Sequence, residues 1–548
     1  MQIDPVDQAV ISQGLIAAAR EMGVKLVRSA YSPVVREAND CSAALLDRHG
    51  NVVAQAELIP MQLGPIGTTF RPCAELYPPE TLEEGDFYIN NDPYHGGQHV
   101  PDVFLFSPIF HDGVLIGFSA SVAHHLDLGG GAPGLNPEAT DVHQEGIIFP
   151  PSKYNLKRDW NGGPFERLVR ANIRVPEQTI GDFNAQFAAN GIGARRVQDL
   201  CARFGAETVT AAMQELLDYS ERRMRAAIAE APDGVYEGED ALDDDGLGDQ
   251  PIPVRAKVTI RGDQVTVDFA GTADQVKTNL NCPYASTIAA ALSCVKSVLT
   301  SPDIPFNEGA KRPIEIRAPY GSLLNPRPPA PVRARMLSGY RVFNAVMKAL
   351  ARAVPERVIA AGYDTTEVIC LSHLGENGYR IYLEIFGGGY GASAGADGCD
   401  AVDSPLSNCG NVPVEAMDME YDFFRVEEYG LRPDSGGPGR HRGGLGFVRR
   451  YVIIKDDVGF ATYGDRFRIA PEGLFGGAPG VTARTYVERG NERIELASKQ
   501  SFKLKKGDVL VTLTGGGAGY GDPAERSRRA AANDIVNGLV TGAALAAE

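Results

Sequence analysis

Hydrophobic positions near the start of the chain fall at helical spacing. Ile11, Leu15, Ala18, Met22 and Leu26 recur at steps of four and three, which lines them along one face. Asp4 as N-cap, Pro5 at the first helical position and Asp7 in the first turn give this helix a start, and Ser32-Pro33 gives it an end. From about 40 to 125 the period shortens to strand-like runs broken by turns: SAALLD, RHGN, VVAQAEL, FYIN, VFLFSPIF, HDG and VLIGFSASVA. Helix formers return over about 195–230 and again over about 335–352. Between them, APDGVYEGEDALDDDGLGDQPIP (231–253) is acidic, Gly-rich and poor in apolar residues, and predicts a boundary or an exposed loop. VRAKVTIRGDQVTVDFAGT (254–272) alternates on both sides of Arg261-Gly262-Asp263, as a hairpin does. The last third carries short strands and Gly turns and ends in a helical pattern over about 524–546.

These patterns predict an α+β fold: mixed and multi-layered, with largely antiparallel sheets and β-hairpins, helices between them and a Gly-rich β C-terminal part. A chain of 548 residues exceeds one core. The punctuation divides it into an N-terminal domain (1–230), a β-rich middle domain (231–333) and an α+β C-terminal domain with Gly-rich loops (334–548).

Charge narrows the partners. With 53 Lys and Arg against 70 Asp and Glu, the net charge is −17, which argues against nucleic-acid and membrane partners. No apolar run approaches the ~20 residues of a membrane span. The opening MQIDPVDQ lacks the basic start of a secretory signal. The eight Cys are scattered with no CxxC pair. A cytoplasmic location is the expectation.

Six of the nine His (95, 99, 111, 124, 125 and 143) fall in one short stretch, the kind of clustering that marks a metal or proton-transfer site. HVPDVFLFSPIF (99–110) and VLIGFSASVAHH (114–125) flank His111-Asp112-Gly113. A two-residue Asp-Gly turn pairs 111 with 114, and continued regularly it sets Asp102 opposite Ala123 and Pro101 opposite His124. His99, Asp102, His124 and Asp127 then converge at the open end, with His125 beside them. A one-residue slip would exchange His124 and His125. Asp40, which opens another strand-like run, could add a carboxylate. Imidazoles mixed with carboxylates suit Zn or Mn; the alternative is a hydrogen-bonded surface hairpin with no metal.

Other motifs say less. GGGYGAS (387–393), DSGGPGRHRGGLG (434–446) and the Gly run at 515–523 read as turns or close backbone approaches. VDFAGT (267–272) is a lone match to an actin-like phosphate loop, and no GxxxxGK[ST] or GxSxG is present. ARMLSGYR (334–341) puts Arg335 and Arg341 near a helix start, where an anionic intermediate could dock; a solvated helix face is the alternative.

NNDPYHGGQHVPDV (90–103) and AHHLDLGGGAPG (123–134) resemble the hydantoinase B/oxoprolinase family, which includes subunits of ATP-dependent hydantoinases, 5-oxoprolinases and caprolactamase and is related to acetone carboxylase. The likeness continues in HQEGIIFPPSK (143–153), RANIRVPEQTIGDFNAQFAAN (170–190) and ARMLSGYRVFNAVMKAL, and so spans nearly the whole chain. The resemblance implies Asp40, His99, Asp102 and His124 as metal ligands, with His125 and Asp127 left as proton carriers. It implies a hydrolytic B subunit that opens a hydantoin, lactam or 5-oxoproline ring after a separate A subunit, carrying ATP and Mg, phosphorylates the substrate. The assembly would be a hetero-oligomer, with the terminal helix a candidate contact. A subunit of an acetone/acetophenone-type carboxylase and a non-catalytic scaffold for the A subunit are the alternatives.

Overall fold

The computed structural model describes residues 3–56, 58–403 and 405–541. The first helix, Pro5–Ser29, starts where its cap predicts: Asp4 accepts hydrogen bonds from the Val6 and Asp7 amides. Its apolar face, Ile11 to Leu26, is buried against the helix Pro176–Phe204 and the first sheet. That later helix starts well before the expected 195. It stops at Gly205, in left-handed backbone, before Ala206–Ile228 resumes.

The first sheet joins β1 (Cys41–Asp47), β2 (Val52–Ala56), β3 (Asp86–Asn90), β4 (Asp102–His111), β5 (Val114–His124) and β6 (Ser152–Asn155) in the order β2-β1-β5-β4-β3-β6, antiparallel throughout. The second has β7 (Gly234–Leu242), β8 (Ile252–Arg261), β9 (Gln264–Asp268) and β10 (Ile314–Arg317), and its β9–β10 pair is parallel. The acidic stretch 231–253 therefore holds a strand as well as a loop. Composition hid it, because only alternate residues of β7 are shielded, and one face rests on the helix Arg335–Leu350. The approach is close: a Cβ on Gly238 would lie 2.1 Å from the Ala345 carbonyl.

Two further sheets form the C-terminal part. One has the order β12-β11-β15-β18, from Gly378–Phe386, Glu367–Gly375, Val458–Tyr463 and Lys499–Leu504. The other runs β13-β14-β19-β16-β17, from Phe424–Leu431, Phe447–Ile453, Val509–Leu513, Arg484–Arg489 and Glu492–Leu496. They share a core of Ile369, Leu371, Tyr382, Phe386, Phe447, Tyr451 and Leu510. The architecture is mixed α+β with largely antiparallel sheets, as expected. Of the terminal helical pattern, Arg528–Val536 is helical and 542–546 lie outside the described residues. Among the described residues no helix is long and apolar enough to cross a membrane.

The Gly-rich segments are stacked on one another as extended backbone. Gly389 donates to the Gly515 carbonyl, Gly444 to Tyr390, Gly517 to Gly444 and Gly437 to Gly517. A Cβ on Gly389 would stand 1.9 Å from the Gly444 oxygen, so this close approach admits no side chain. Gly389→Ala is expected to destabilise the chain by about 1–3 kcal/mol in urea unfolding; an unchanged midpoint would refute the packing argument.

Candidate active site

The hairpin turn forms as predicted, with Asp112 and Gly113 both at positive φ and His111 paired with Val114. The register beyond it is corrected by one residue. A bulge places Ile109 opposite Gly117 while Phe110 faces Leu115, so Ile116 is extra and Asp102 pairs with His124, not Ala123. On the other side of β5, Cys41 pairs with Ala123, which sets Asp40 beside His124; the His124 amide donates to the Asp40 carbonyl. Three neighbouring strand ends thus carry Asp40, His124 and Asp102. His99 joins them from the turn before β4, where the Asp102 amide donates to the His99 carbonyl.

All four side chains are buried. The His99 and His124 rings have centroids 5.1 Å apart, and His99 Nε2 is 3.2 Å from Asp102 Oδ2. Gln62 Nε2 donates to Asp40 Oδ1 (2.8 Å) and to Asp102 Oδ1 (3.2 Å). Arg335 Nη2 donates to Asp102 Oδ2 (2.6 Å). His99 Nδ1 stands 3.1 Å from the Arg333 carbonyl, which only accepts, and 2.9 Å from Arg335 Nη1, which only donates. One tautomer therefore satisfies one of the two, and donation to the carbonyl leaves the Nε2 lone pair free.

Electrostatics follow from burial. Burial lowers His99 to about 4, helped by the Arg335 charge, and drives His124 well below its ordinary value, so both imidazoles are neutral with available lone pairs. Burial would raise Asp102, but the Arg335 guanidinium that donates to it holds the carboxylate below its usual range. Burial, together with the Asp102 charge, raises Asp40 well above its own.

These donors fit a divalent ion in type: two imidazoles and two carboxylates, with His99 Nε2 and His124 Nδ1 buried and making no hydrogen bond. Among the described residues, however, no three His, Cys, Asp or Glu side chains already close around a common point. Arg335 is bound to Asp102 and reaches His99, two of the groups such an ion would share.

His125 and Asp127 are not drawn into this cavity. His125 faces the other side of the sheet, its ring stacked on Phe183 at 4.2 Å and its Nε2 3.1 Å from Gln186 Oε1. Asp127 accepts from the Arg174 amide (2.7 Å) and Arg174 Nη1 (2.9 Å), and binds a loop. His95 and His143 are exposed, and His111 sits at the hairpin tip. Arg335 and Arg341 are both buried, which removes the solvated-face alternative for that helix start.

Two contributors carry no sequence signal of their own, Gln62 and Glu145. Glu145 Oε1 accepts the Val332 (2.9 Å) and Arg333 (2.8 Å) amides and so fixes the segment that offers its carbonyl to His99. Burial pushes Glu145 up from 4.5 to about 8. The folded chain then holds this proton more tightly than the unfolded one, so stability falls as pH rises from about 4.5 to about 8 and levels off above. Relative to wild type, Glu145→Gln is expected to gain on the order of 3 kcal/mol between pH 5 and 8 in thermal unfolding. A mutant-minus-wild-type difference that is flat with pH would refute it.

The cavity beside the four donors has a volume of about 30 Å³, and its lining includes Asp40, Gln62, His99, His124, Arg335 and Tyr463. That is room for an ion or a water, not for a substrate ring.

The hydantoinase B/oxoprolinase family model matches residues 4–523. The chain is 36% identical to a protein of Pseudomonas sp. (strain NS671) named as the B subunit of a D-/L-hydantoinase, over 98% of this chain and 94% of that one. It is 30% identical to the beta subunit of caprolactamase from Pseudomonas jessenii, over 98% and 94%. The crystal structure of the ATP-dependent caprolactamase from Pseudomonas jessenii superposes with a TM-score of 0.90 at 28% identity, covering 99% of this chain and 95% of that one. With a family model that spans nearly all of its length, the chain belongs to the hydantoinase B/oxoprolinase family.

Proposed function

We propose that this chain is the ring-opening B subunit of an ATP-dependent cyclic amide hydrolase. In this reading Asp40, His99, Asp102 and His124 hold a Zn or Mn ion, and a separate A-type subunit takes ATP and Mg and phosphorylates the amide oxygen. The observation that carries it is the meeting of these four buried donors, Asp40, His99 and His124 on the wall of one cavity with Asp102 against His99, in a chain 36% identical to a hydantoinase B subunit. A divalent ion held there would supply Lewis acidity, stabilising developing negative charge and making nearby water more acidic. The chain's own residues prepare the place. Neutral His99 and His124 offer lone pairs, Arg335 keeps Asp102 ionised, and Gln62 fixes the orientation of both carboxylates. Burial and the Asp102 charge raise Asp40 well above its ordinary value, and Gln62 donates to its Oδ1. The helix Arg528–Val536 presents Ile535 and Val536 to solvent and is a candidate contact for the A-type partner in a hetero-oligomer.

The test is to purify the chain with an A-type subunit, measure its metal content, and assay ATP-dependent ring opening of hydantoins, lactams and 5-oxoproline. Near-stoichiometric Zn or Mn with ATP-dependent opening is expected. A complex that binds neither ion, even when supplied, and opens no ring would point instead to a scaffold for the A subunit.

A further inference from the structure

The cavity beside the donors has no room for a ring, so a ring must come to it from a larger space, and the sheet that walls it carries one. Along β11, Val368, Cys370, Ser372 and Leu374 alternate onto one face. In the ladders Val368 faces Tyr463, Cys370 faces Ala461 and Ser372 faces Gly459, and β18 continues this face with Ser501 and Lys503. Val368 and Tyr463 line the small cavity. Cys370, Ser372, Leu374, Ala461 and Ser501 line an open groove of about 640 Å³, ample for a small ring. Ser372 lies about 13 Å along the strand from Val368, so a ring in the groove is not yet at the donors. Segment 133–135 lies between, over Cys370, whose Sγ donates to the Pro133 carbonyl (3.6 Å). The fit is close: a Cβ on Gly134 would meet that sulfur at 2.9 Å and Ile381 Cγ2 at 2.7 Å. The Gly134 amide donates to Asp127 Oδ1 (3.4 Å), and its carbonyl accepts from Arg333 Nη2 (2.7 Å).

We propose that the phosphorylated cyclic amide binds first in this groove and reaches the donors along the sheet face, beneath segment 133–135, an inference that rests on the ring-opening reading. The segment must lift from Cys370 to let the ring pass, and Asp127 and Arg333 are the positioning residues that hold it down. The lining matches such a ligand. Leu374, Tyr379 and Ala461 cover an apolar ring edge, and the hydroxyls of Ser372 and Ser501 can pair with its polar groups. Among the described residues the lining carries one cation, Lys503, to stand against the phosphoryl group, and one acid, Asp457.

The experiment fills the groove in the complex with the A-type subunit, metal and ATP. Ser372→Trp and Ser501→Trp each put an indole into it from a different strand. Ala270→Trp is the control, because it puts one into a second groove, of about 720 Å³, beside β7, β8 and β9. Metal content, melting temperature and co-elution with the A-type subunit are read beside ring opening. Both groove variants are expected to keep ion, fold and partner and to lose at least about tenfold in kcat/KM, while Ala270→Trp stays within about twofold of wild type. A smaller loss in either groove variant, or an equal loss in Ala270→Trp, would overturn the route and leave ring opening standing. Loss of ion, fold or partner in both groove variants would show that this face is structural or an A-subunit contact, and would overturn it as well. If the wild-type complex opens no ring, the ring-opening reading fails and the route fails with it.

Discussion

Replacing His99 with alanine is expected to abolish binding of the divalent ion proposed for this site and to lower the proposed ATP-dependent ring opening on the order of 1,000-fold. His99 is buried, its Nε2 makes no hydrogen bond, and its other nitrogen lies against the Arg333 carbonyl, an arrangement that suits a ligand. Metal content by inductively coupled plasma mass spectrometry, on wild type and variant purified alike, checks the first part, and product formation checks the second. His125→Ala is the control. Its ring faces Phe183 and Gln186 across the sheet, so that variant should lose stability and keep the ion. Loss of metal in His125→Ala with retention in His99→Ala would reverse the assignment of ligands.

The second large effect lies away from the cavity. Asp240→Ala is expected to destabilise the fold by about 3–5 kcal/mol, because it leaves buried arginines without their counter-charge. Asp240 Oδ2 accepts from Arg466 Nη2 (2.7 Å) and Asn344 Nδ2 (3.0 Å) and lies 3.2 Å from Arg341 Nη1, with both guanidinium groups at most 1% exposed. Burial works against the Asp240 charge, but Arg466 and Arg341 hold its carboxyl well below the ordinary range. The cluster joins β7, the helix Arg335–Leu350 and the segment after β15, three parts of the chain distant in sequence. Chemical denaturation of Asp240→Ala and Asp240→Asn measures it, and a loss under about 1 kcal/mol in both would show that the arginines find other partners.

What the sequence disclosed, and what it withheld, divides by distance along the chain. The first helix, the Asp112-Gly113 turn and the 261–264 hairpin were legible because cap, turn and alternation are local. The pairing of Asp102 with His124 was not, since one bulged residue at Ile116 shifts the register and no turn chemistry encodes it. Asp40, His99, Asp102 and His124 were reachable through family resemblance joined to the clustering of His. Gln62, Glu145 and the role of Arg335 were hidden, because each is a single polar residue whose partner lies far off; Glu145 meets Arg333 across 188 positions. β7 was missed because acid and glycine masked an alternation that shows only against the helix beneath it.

The stacked glycine segments have a consequence for solvent exchange. Residues 388–392, 436–446 and 514–521 contain hardly any regular strand or helix, and such stretches ordinarily trade their amide hydrogens for deuterium within seconds. Here those amides point into neighbouring carbonyls, with no side chain to wedge the layers apart. They should label as slowly as the central strands, so that the part of the chain resembling loose loop behaves as one of its most persistent cores.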